Sequence, residues 1–318
     1  MNIFDIFDLQ LFAELNTQTT GTGTLSDEMK VYYSDYLIDN AVPKLVHDQF
    51  GQKHPIPKNG GKTIEFRKYS PLPKLLTPLT EGVTPDGQSL TVSTVEATVA
   101  QYGGYITLSD MLLMTAIDNN MVQATKLLGA QAGASLDTIT REVLNGGTNV
   151  VYAGGVDSRG ALSANLTVDD IKKAVRALKN QNAEKIGDSF VAIIHPDVTY
   201  DLTNDPTWQS VKDYDPKDWY EGEIGKIAGV RFVETTEAKI FDGGVYSTLI
   251  LGDNAYGVTE IEGGGLEHIV KQLGSAGTSD ALNQRATVGW KATKVAERLV
   301  EQFMVRIESK STFAGAAN

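Results

Sequence analysis

The sequence predicts an α+β protein, and three observations carry the prediction. Residues 62–108 are patterned as two strands around a proline-rich loop. A helical pattern then runs from Ser109 to the "NGG" at 145–147. Beyond it, the helix "NLTVDDIKKAVRALKNQN" and the short strands "SFVAII" and "GVRFVET" follow, so strand-rich and helix-rich stretches are segregated along the chain. With 318 residues, 41% of them apolar, the chain can bury a sizeable core and fits two domains.

Composition removes several chemistries. The chain has no cysteine, which excludes disulfides, thiolate nucleophiles, zinc–thiolate clusters and iron–sulfur ligation, and favours an intracellular site of folding. A net charge of -12 opposes a sequence-independent grip on nucleic acid. The charge is segregated. Lys53, Lys58, Lys62, Arg67, Lys68 and Lys74 face the single acid Glu65, whereas residues 184–267 hold seventeen acids against six bases. The first 29 residues carry Asp5, Asp8, Glu14, Asp27 and Glu28 and no base. Such segregation suits steering between surfaces that meet, copies of the same chain included, and solvated faces produce it too.

The opening "MNIFDIFDLQLFAEL" has no basic n-region, and Asp5 and Asp8 interrupt its apolar run, so it does not read as a signal peptide. Phe4, Phe7, Leu11 and Leu15 recur at helical intervals and form a stripe suited to docking. No run reaches the roughly 18 apolar residues of a spanning helix, so no membrane partner is expected. "NTQTTGTGTLSD" reads as a connector, making residues 1–30 an arm. "VYYSDYLIDNAVPKLVHDQF" has helical spacing before Pro43 and leads into the loop "GQKHPIPKNGG". His47 and His54 lack the spacing of a metal pair.

In the ribbon, "KTIEFRKY" alternates Ile64 and Phe66 with Glu65 and Arg67. "SLTVSTVEATVAQY" is rich in β-branched residues, and the slip in apolar parity between Val92 and Val95 predicts a bulge. Pro71, Pro73, Pro78 and Pro85 prevent regular pairing of the loop between the strands. A two-stranded ribbon is marginal in water, so this one needs support from its own domain or from a neighbouring subunit.

Ser109 and Asp110 start the long helix, with a break expected at "DNN", 118–120, and a stripe of Met121, Thr125, Leu128, Ala132, Leu136, Ile139 and Val143. Few charges and many small residues make it a spine packed on more than one side. In the next helix Thr167 and Asp170 are spaced as a capping pair, Ile171, Val175 and Leu178 share a face, and Lys172, Lys173, Arg176 and Lys179 face solvent or a polyanion. The final "FMVRIES" alternates as a strand should, while Ala292, Val295, Ala296, Leu299 and Phe303 also fit a helix.

No catalytic constellation emerges. His195 sits between "SFVAII" and Pro196, where a strand meets the first turn of a helix, and no G-x-S-x-G elbow accompanies it. Asp197, Asp201 and Asp205 fall at intervals of four and read as a solvated or anion-repelling face. In "GEIGKIAG", Tyr220 and Ile227 break the phosphate-loop pattern, and "EGGGLEH" lacks the helix that dinucleotide binding requires. His268 has no ligand partner at useful spacing. The expectation is therefore no enzyme, no cofactor and no metal.

The order strand, "HP", helix, Tyr/Trp-rich loop, "GEIGKIAGVRFVETTEA", "STLILGDNAYGVTEI" and "GWKATKVAERLVEQFMVRIES" resembles the C-terminal half of tailed-phage major capsid proteins. "LQLFAE" from Leu9 is similar to the start of many coat proteins of phages infecting Gram-positive hosts, and the chain looks closest to the subfamily of the coliphage N-four coat protein. The resemblance implies the Hong Kong 97-type fold, shared with herpesvirus shells and bacterial encapsulins. Residues 1–52 would be the N-terminal arm, 53–108 the extended loop, 109–187 the peripheral domain with its spine helix, 188–285 the axial domain and 286–318 a return to the peripheral domain. It implies self-assembly through hexamers and pentamers into an icosahedral shell around the double-stranded DNA of a tailed bacteriophage. Scaffolding and portal proteins would be partners, and the virion would assemble in the host bacterial cytoplasm. Contacts between subunits are expected at Lys62, Arg67, Lys68, Lys74 and Leu75 of the loop and at Phe4, Phe7, Leu11 and Phe12 of the arm. An encapsulin-like compartment and a hydrolase using His195 are the alternatives.

Overall fold

The computed structural model describes residues 17–18, 45–59, 61–69, 72–79, 81–82, 84, 86–116, 120–208, 226–259, 266–275, 280–313 and 315–318. In chain order the elements begin with β1 (Thr17–Gln18), β2 (Gln52–Lys53), β3 (Thr63–Tyr69), β4 (Val92–Thr98), β5 (Ala100–Ser109), α1 (Asp110–Thr115), α2 (Asn120–Asn145) and β6 (Val150–Tyr152). They continue with α3 (Val168–Asn180), β7 (Phe190–Ile194), α4 (Pro196–Thr203), β8 (Lys226–Ile227), β9 (Val230–Glu234), β10 (Ile240–Phe241) and β11 (Val245–Leu251). The last are β12 (Tyr256–Thr259), β13 (Glu267–Lys271), β14 (Arg285–Arg298) and β15 (Met304–Ser309). Two compact units result, one of residues 1–42, 101–133 and 264–292, the other of 43–100, 134–263 and 293–318.

The second unit is organised by a seven-stranded sheet, β6-β15-β11-β7-β9-β8, with β10 paired to β11. β7, β11 and β15 are buried at every position. A strand covered on both faces needs apolar residues at both parities, which is why "SFVAII" shows no alternation. On one face Ile194, Ile250, Val305 and Ile307 meet Ile171, Val175 and Leu178 of α3 and Val198 and Leu202 of α4. On the other, Ile193, Leu249, Leu251 and Met304 meet Leu144, Val46 and Tyr256. Each such side chain contributes about 1.5–3 kcal/mol by leaving water. The sequence-expected cap of α3 is present: the Thr167 hydroxyl accepts from the Asp170 amide at 3.3 Å.

Charges enter this core only in groups. Glu308, fully buried, accepts both Nε and Nη2 of Arg159 at 2.7 Å and Nε of Arg306 at 2.9 Å. The Arg159 guanidinium lies 3.7 Å from the centre of the Phe241 ring. Its hydrogen bond to Glu308 holds the Arg159 pKa up, while burial pushes that of Arg306 down. Nearby, His47 donates its amide to Asp137 at 2.8 Å and brings Nδ1 within 2.6 Å of the same carboxylate. Thr140 donates to Asp48 at 2.5 Å, and Lys294 bridges Asp48 and the Leu136 carbonyl.

These groups correct the expected stripe of α2. Leu128, Ala132 and Leu136 are buried as expected, but Met121, Thr125, Ile139 and Val143 are only half-buried. In the last turns Asp137, Thr140, Arg141, Leu144 and Asn145 face inward instead. The cause is the polar side of the core, since a helix facing His47, Asp48 and Arg306 gains more from hydrogen-bonding groups than from methyls.

The ribbon pairs β3 with β4 without interruption from Thr63↔Thr98 to Tyr69↔Val92, so the expected bulge is absent from it. Val92 is 43% exposed, and where neither face of a strand is buried a slip in apolar parity costs nothing. Between 292 and 303 the structure decides for strand: β14 continues to Arg298, and Glu301–Phe303 form a single 3-10 turn. The helix expected before Pro43 lies outside the described residues.

In the first unit β5 and β14 are neighbours, and β13 pairs antiparallel with β14, His268 opposite Trp290. β1 pairs parallel with β5 through Thr17↔Thr107. The strands approach closely because two side chains are missing: a Cβ on Gly103 would stand 2.7 Å from the Trp290 carbonyl oxygen, and one on Gly289 would stand 2.9 Å from Cβ of Tyr105. Leu108, Leu112 and Ala124 form a small core there, and the Trp290 indole donates to Gln131 of α2 at 3.3 Å.

Glu308→Ala leaves the buried Arg306 without its carboxylate. The expected loss is about 3–5 kcal/mol of unfolding free energy, read from urea titration of the unassembled subunit, and a loss under about 1 kcal/mol would mean that the Asn145 carbonyl, which accepts from Arg306 Nη1, is partner enough.

Candidate functional site

His195 is a structural junction. It occupies the N-cap of α4 with Pro196 in the first turn, and its Nδ1 accepts from the Asp197 amide at 3.1 Å. The imidazole packs 5.1 Å from the Tyr246 ring, and the Tyr246 hydroxyl donates to Asp197 at 2.6 Å. Burial lowers the His195 pKa, opposed by the charges of Asp197 and Glu234. Burial and the bond to Asp197 push the Tyr246 phenol up to about 12. The ring nitrogen that a general base would use here is committed to backbone.

The carboxylates after it correct another expectation. Asp197, Asp201 and Asp205 do not form a solvated face. Asp201, 9% exposed, accepts the amide and hydroxyl of Thr312 at 2.9 and 2.5 Å. Asp205 accepts the amides of Val168 at 3.1 Å and Thr207 at 2.8 Å, and these bonds hold its pKa down against burial. A Cβ on Gly315 would stand 2.4 Å from the Tyr246 hydroxyl, so the C-terminal segment lies against the sheet at a residue without a side chain. Asp201 therefore pins Thr312, and Asp205 pins the start of α3. Among the described residues no cluster of three or more His, Asp or Glu is placed to hold a metal. Nor, among the described residues, is any helix long and apolar enough to cross a membrane.

Among the described residues the ribbon is anchored at its root. At its root Phe66 lies on the bare backbone of β12, where a Cβ on Gly257 would be 3.1 Å from the ring, and His54 packs against it at 6.0 Å. Ile56, Ala97 and Val99 are buried there. Toward the tip burial ends. Leu72, Leu75, Leu76, Leu79 and Leu90 are 51%, 80%, 84%, 76% and 68% exposed. Of the expected contact residues, Lys62, Arg67, Lys74 and Leu75 are exposed, and Lys68 stands opposite Ser93 in the ladder. Arg67 meets Glu65 at 3.4 Å, a solvent-exposed pair worth little. Phe4, Phe7, Leu11 and Phe12 lie outside the described residues. Four of the tip leucines, all but Leu75, escaped the sequence reading. Their signal was a cluster of leucines among the prolines, Leu72 and Leu79 directly after Pro71 and Pro78, in a segment with no strand or helix period to absorb them.

The first unit holds a groove of about 820 Å³ over β5, β13 and β14. Tyr102, Tyr105 and Trp290 supply its aromatic lining, and Lys271, Arg285 and Lys291 its charges, with no acid among the lining residues. Glu267 at 3.1 Å from Lys291 and Asp280 at 3.8 Å from Arg285 stand behind it.

A subunit with a long ribbon, a spine helix and a two-sided sheet is the architecture of shell proteins, and solved structures agree. The capsid of cyanophage P-SCSP1u superposes with a TM-score of 0.69 at 13% identity, covering 95% of this chain and 99% of that one. The capsid of Ralstonia phage GP4 gives 0.69 at 14% identity, over 90% and 96%. An encapsulin complex from Synechococcus elongatus follows with 0.56 at 9%, over 92% and 98%. The protein has the Hong Kong 97-type fold. A model of the family described as "Phage capsid protein" matches residues 91–300, and the chain belongs to that family. No curated protein matches it. It is a major capsid protein, and its work is to build the shell of a phage virion.

The neutral imidazole is the form that caps α4, and its folded pKa lies below the unfolded value of about 6.5. Its contribution is thus complete above that pH and is lost as pH falls toward the folded pKa. His195→Asn keeps an acceptor without a titration, so the unfolding free energy of the wild type should fall further than the variant's between pH 7 and 5. His195→Ala should cost about 1 kcal/mol at pH 8.

Proposed function

We propose that the extended loop is the subunit's principal handle on its neighbours. The observation that carries this is the run of leucines held in water at the tip of a ribbon whose root alone is buried. Folding within one chain gains nothing from them, and docking on a neighbour buries them. Lys62, Arg67, Lys68 and Lys74 then meet an acidic surface of the next subunit, and Phe4, Phe7, Leu11 and Phe12 of the arm add a second contact. Individually weak contacts suffice, because closure of a multivalent shell multiplies them.

Within this reading residues 1–52 are the arm and 53–108 the extended loop. Residues 109–187 are then the peripheral domain with its spine helix, 188–285 the axial domain and 286–318 the return to the peripheral domain. Subunits form hexamers and pentamers with the help of scaffolding and portal proteins in the host cytoplasm. The shell encloses double-stranded DNA with little sequence specificity, and the acidic chain limits sticking to it. The protein works without catalysis or a cofactor. The encapsulin likeness favours one other content, enzymes as cargo; a cargo protein recovered with DNA-free shells would support it.

Leu75→Asp with Leu76→Asp tests the handle. Both side chains are exposed in the subunit, so unfolding should change by no more than about 0.5 kcal/mol while closed shells and rings vanish from electron micrographs. Normal shells from the double variant would remove the loop from the assembly mechanism.

A further inference from the structure

We propose that β13 is a self-docking edge, which pairs antiparallel with β13 of a second copy of the chain about a two-fold axis at Ile269. This rests on the assembly reading for its setting and deepens it, adding a contact between subunits other than the ribbon and the arm.

β13 is an edge strand. Its inner side pairs with β14 from Glu267↔Lys291 to Lys271↔Thr287, and among the described residues nothing pairs with its outer side. A strand so placed presents a row of unpaired amides and carbonyls, and such rows are commonly blunted by proline, by a bulge or by charge. The run "EHIVK" holds no proline or glycine, its register is unbroken, and every residue but the half-buried Ile269 is exposed. Leu266, Val270 and Leu273 add exposed apolar surface along it. Only its two charges guard the edge, and they suit one partner.

Charge selects the occupant and the register together. A two-fold axis through a sheet keeps each side chain on its own face, so an antiparallel self-pair must centre on one residue opposite itself. Centred on Ile269, Glu267 of each copy faces Lys271 of the other, and the ion pair forms twice. Centred on His268, Glu267 faces Ile269; centred on Val270, Lys271 faces Ile269. The first register alone sets opposite charges across the ladder, where such pairs stabilise and like charges oppose. Inside the subunit Lys291 already stands 3.1 Å from Glu267, in a pair that is about half exposed on each side. Docking places Lys271 of the second copy on the other side of that carboxylate, which then lies between two ammonium groups. Lys271 itself faces Thr287 and meets no carboxylate among the described residues. On the opposite face of the sheet His268 and Val270 stand beside Trp290 and Val288, both buried, so the second copy prolongs an apolar face. The ribbon is a poorer occupant, because neither β3 nor β4 holds an acid and a base four residues apart, the spacing of Glu267 and Lys271.

The chain has no cysteine, so an introduced thiol meets only its own copy in a second chain. Ile269→Cys brings two Cα atoms to about 4.5–5.5 Å across the axis, within the reach of a disulfide. Full-length protein, as assembled shells and as concentrated free subunits, is oxidised mildly and run on a non-reducing gel beside Lys172→Cys on α3. The expected product is a dimer, formed at least about tenfold faster than from Lys172→Cys, because a held pair reacts at its effective concentration. Lys271→Glu on this background sets acid opposite acid twice and should slow the dimer about tenfold. Adding Glu267→Lys and Lys291→Glu exchanges the whole row and should restore it. A rate no faster than that of Lys172→Cys overturns the proposal, as does a dimer that forms faster from His268→Cys or Val270→Cys, or a charge exchange without rescue. Should Ile269→Cys misfold, Glu267→Cys with Lys271→Cys, both at exposed positions, reads the same pairing. Electron microscopy of the reduced proteins reports shells separately. Shells without the crosslink sink the pairing alone, and a crosslink in free subunits that never close sinks the assembly reading alone.

Discussion

Three strands, β7, β11 and β15, are buried on both faces, and most of the second unit follows from the need to cover them. A sheet with two apolar faces requires two covers. α3 and α4 supply one, and their cap residues are spent on holding that position: Thr167 at the start of α3, His195 at the start of α4, and Asp205 reaching from beyond α4 to the Val168 amide. The other cover is less uniform. It includes Leu144 and Tyr256, and with them come the buried pairs His47–Asp137 and Lys294–Asp48.

That polar side explains features that look at first like chemistry. His47 against Asp137, Asp48 against Lys294 and Glu308 between two arginines would each attract notice as candidate catalytic groups. In each, a charge is tolerated inside a core by a partner at hydrogen-bond distance and further bonds to backbone. They hold elements distant in sequence in one arrangement: Arg159 and Glu308, or Asp48 and Lys294, lie far apart along the chain. A subunit whose neighbours bear on it from several sides benefits from such fixed geometry.

The ribbon reverses this logic. Its root obeys the same rules as the core, with Phe66 seated on the glycine backbone of β12 and Val99 bonded back to Lys62 at 2.8 Å. Its tip leaves large apolar side chains in water, which no isolated monomer gains by doing. Burying them takes a surface from outside the single chain.

Much of this was legible in the chain. Pro196 after an apolar run marks a strand-to-helix junction because proline's missing amide proton is harmless only in a first turn. Thr167 with Asp170 marks a cap, and alternation in "KTIEFRKY" marks a strand, because both are local rules set by hydrogen bonds and side-chain direction. Segregated charge and an unsupported ribbon already pointed to surfaces that meet. Other features depended on partners far away in sequence. Asp201 is buried and Asp205 half-buried and bonded because Thr312 and Val168 happen to arrive there, and no spacing within residues 197–205 reveals that. The inward turn of α2 at Asp137 and Arg141, the unbulged register of the ribbon and the choice of strand at 292–298 were decided in the same way. In each case local preference was nearly balanced, and the tertiary contact that buried one alternative settled it.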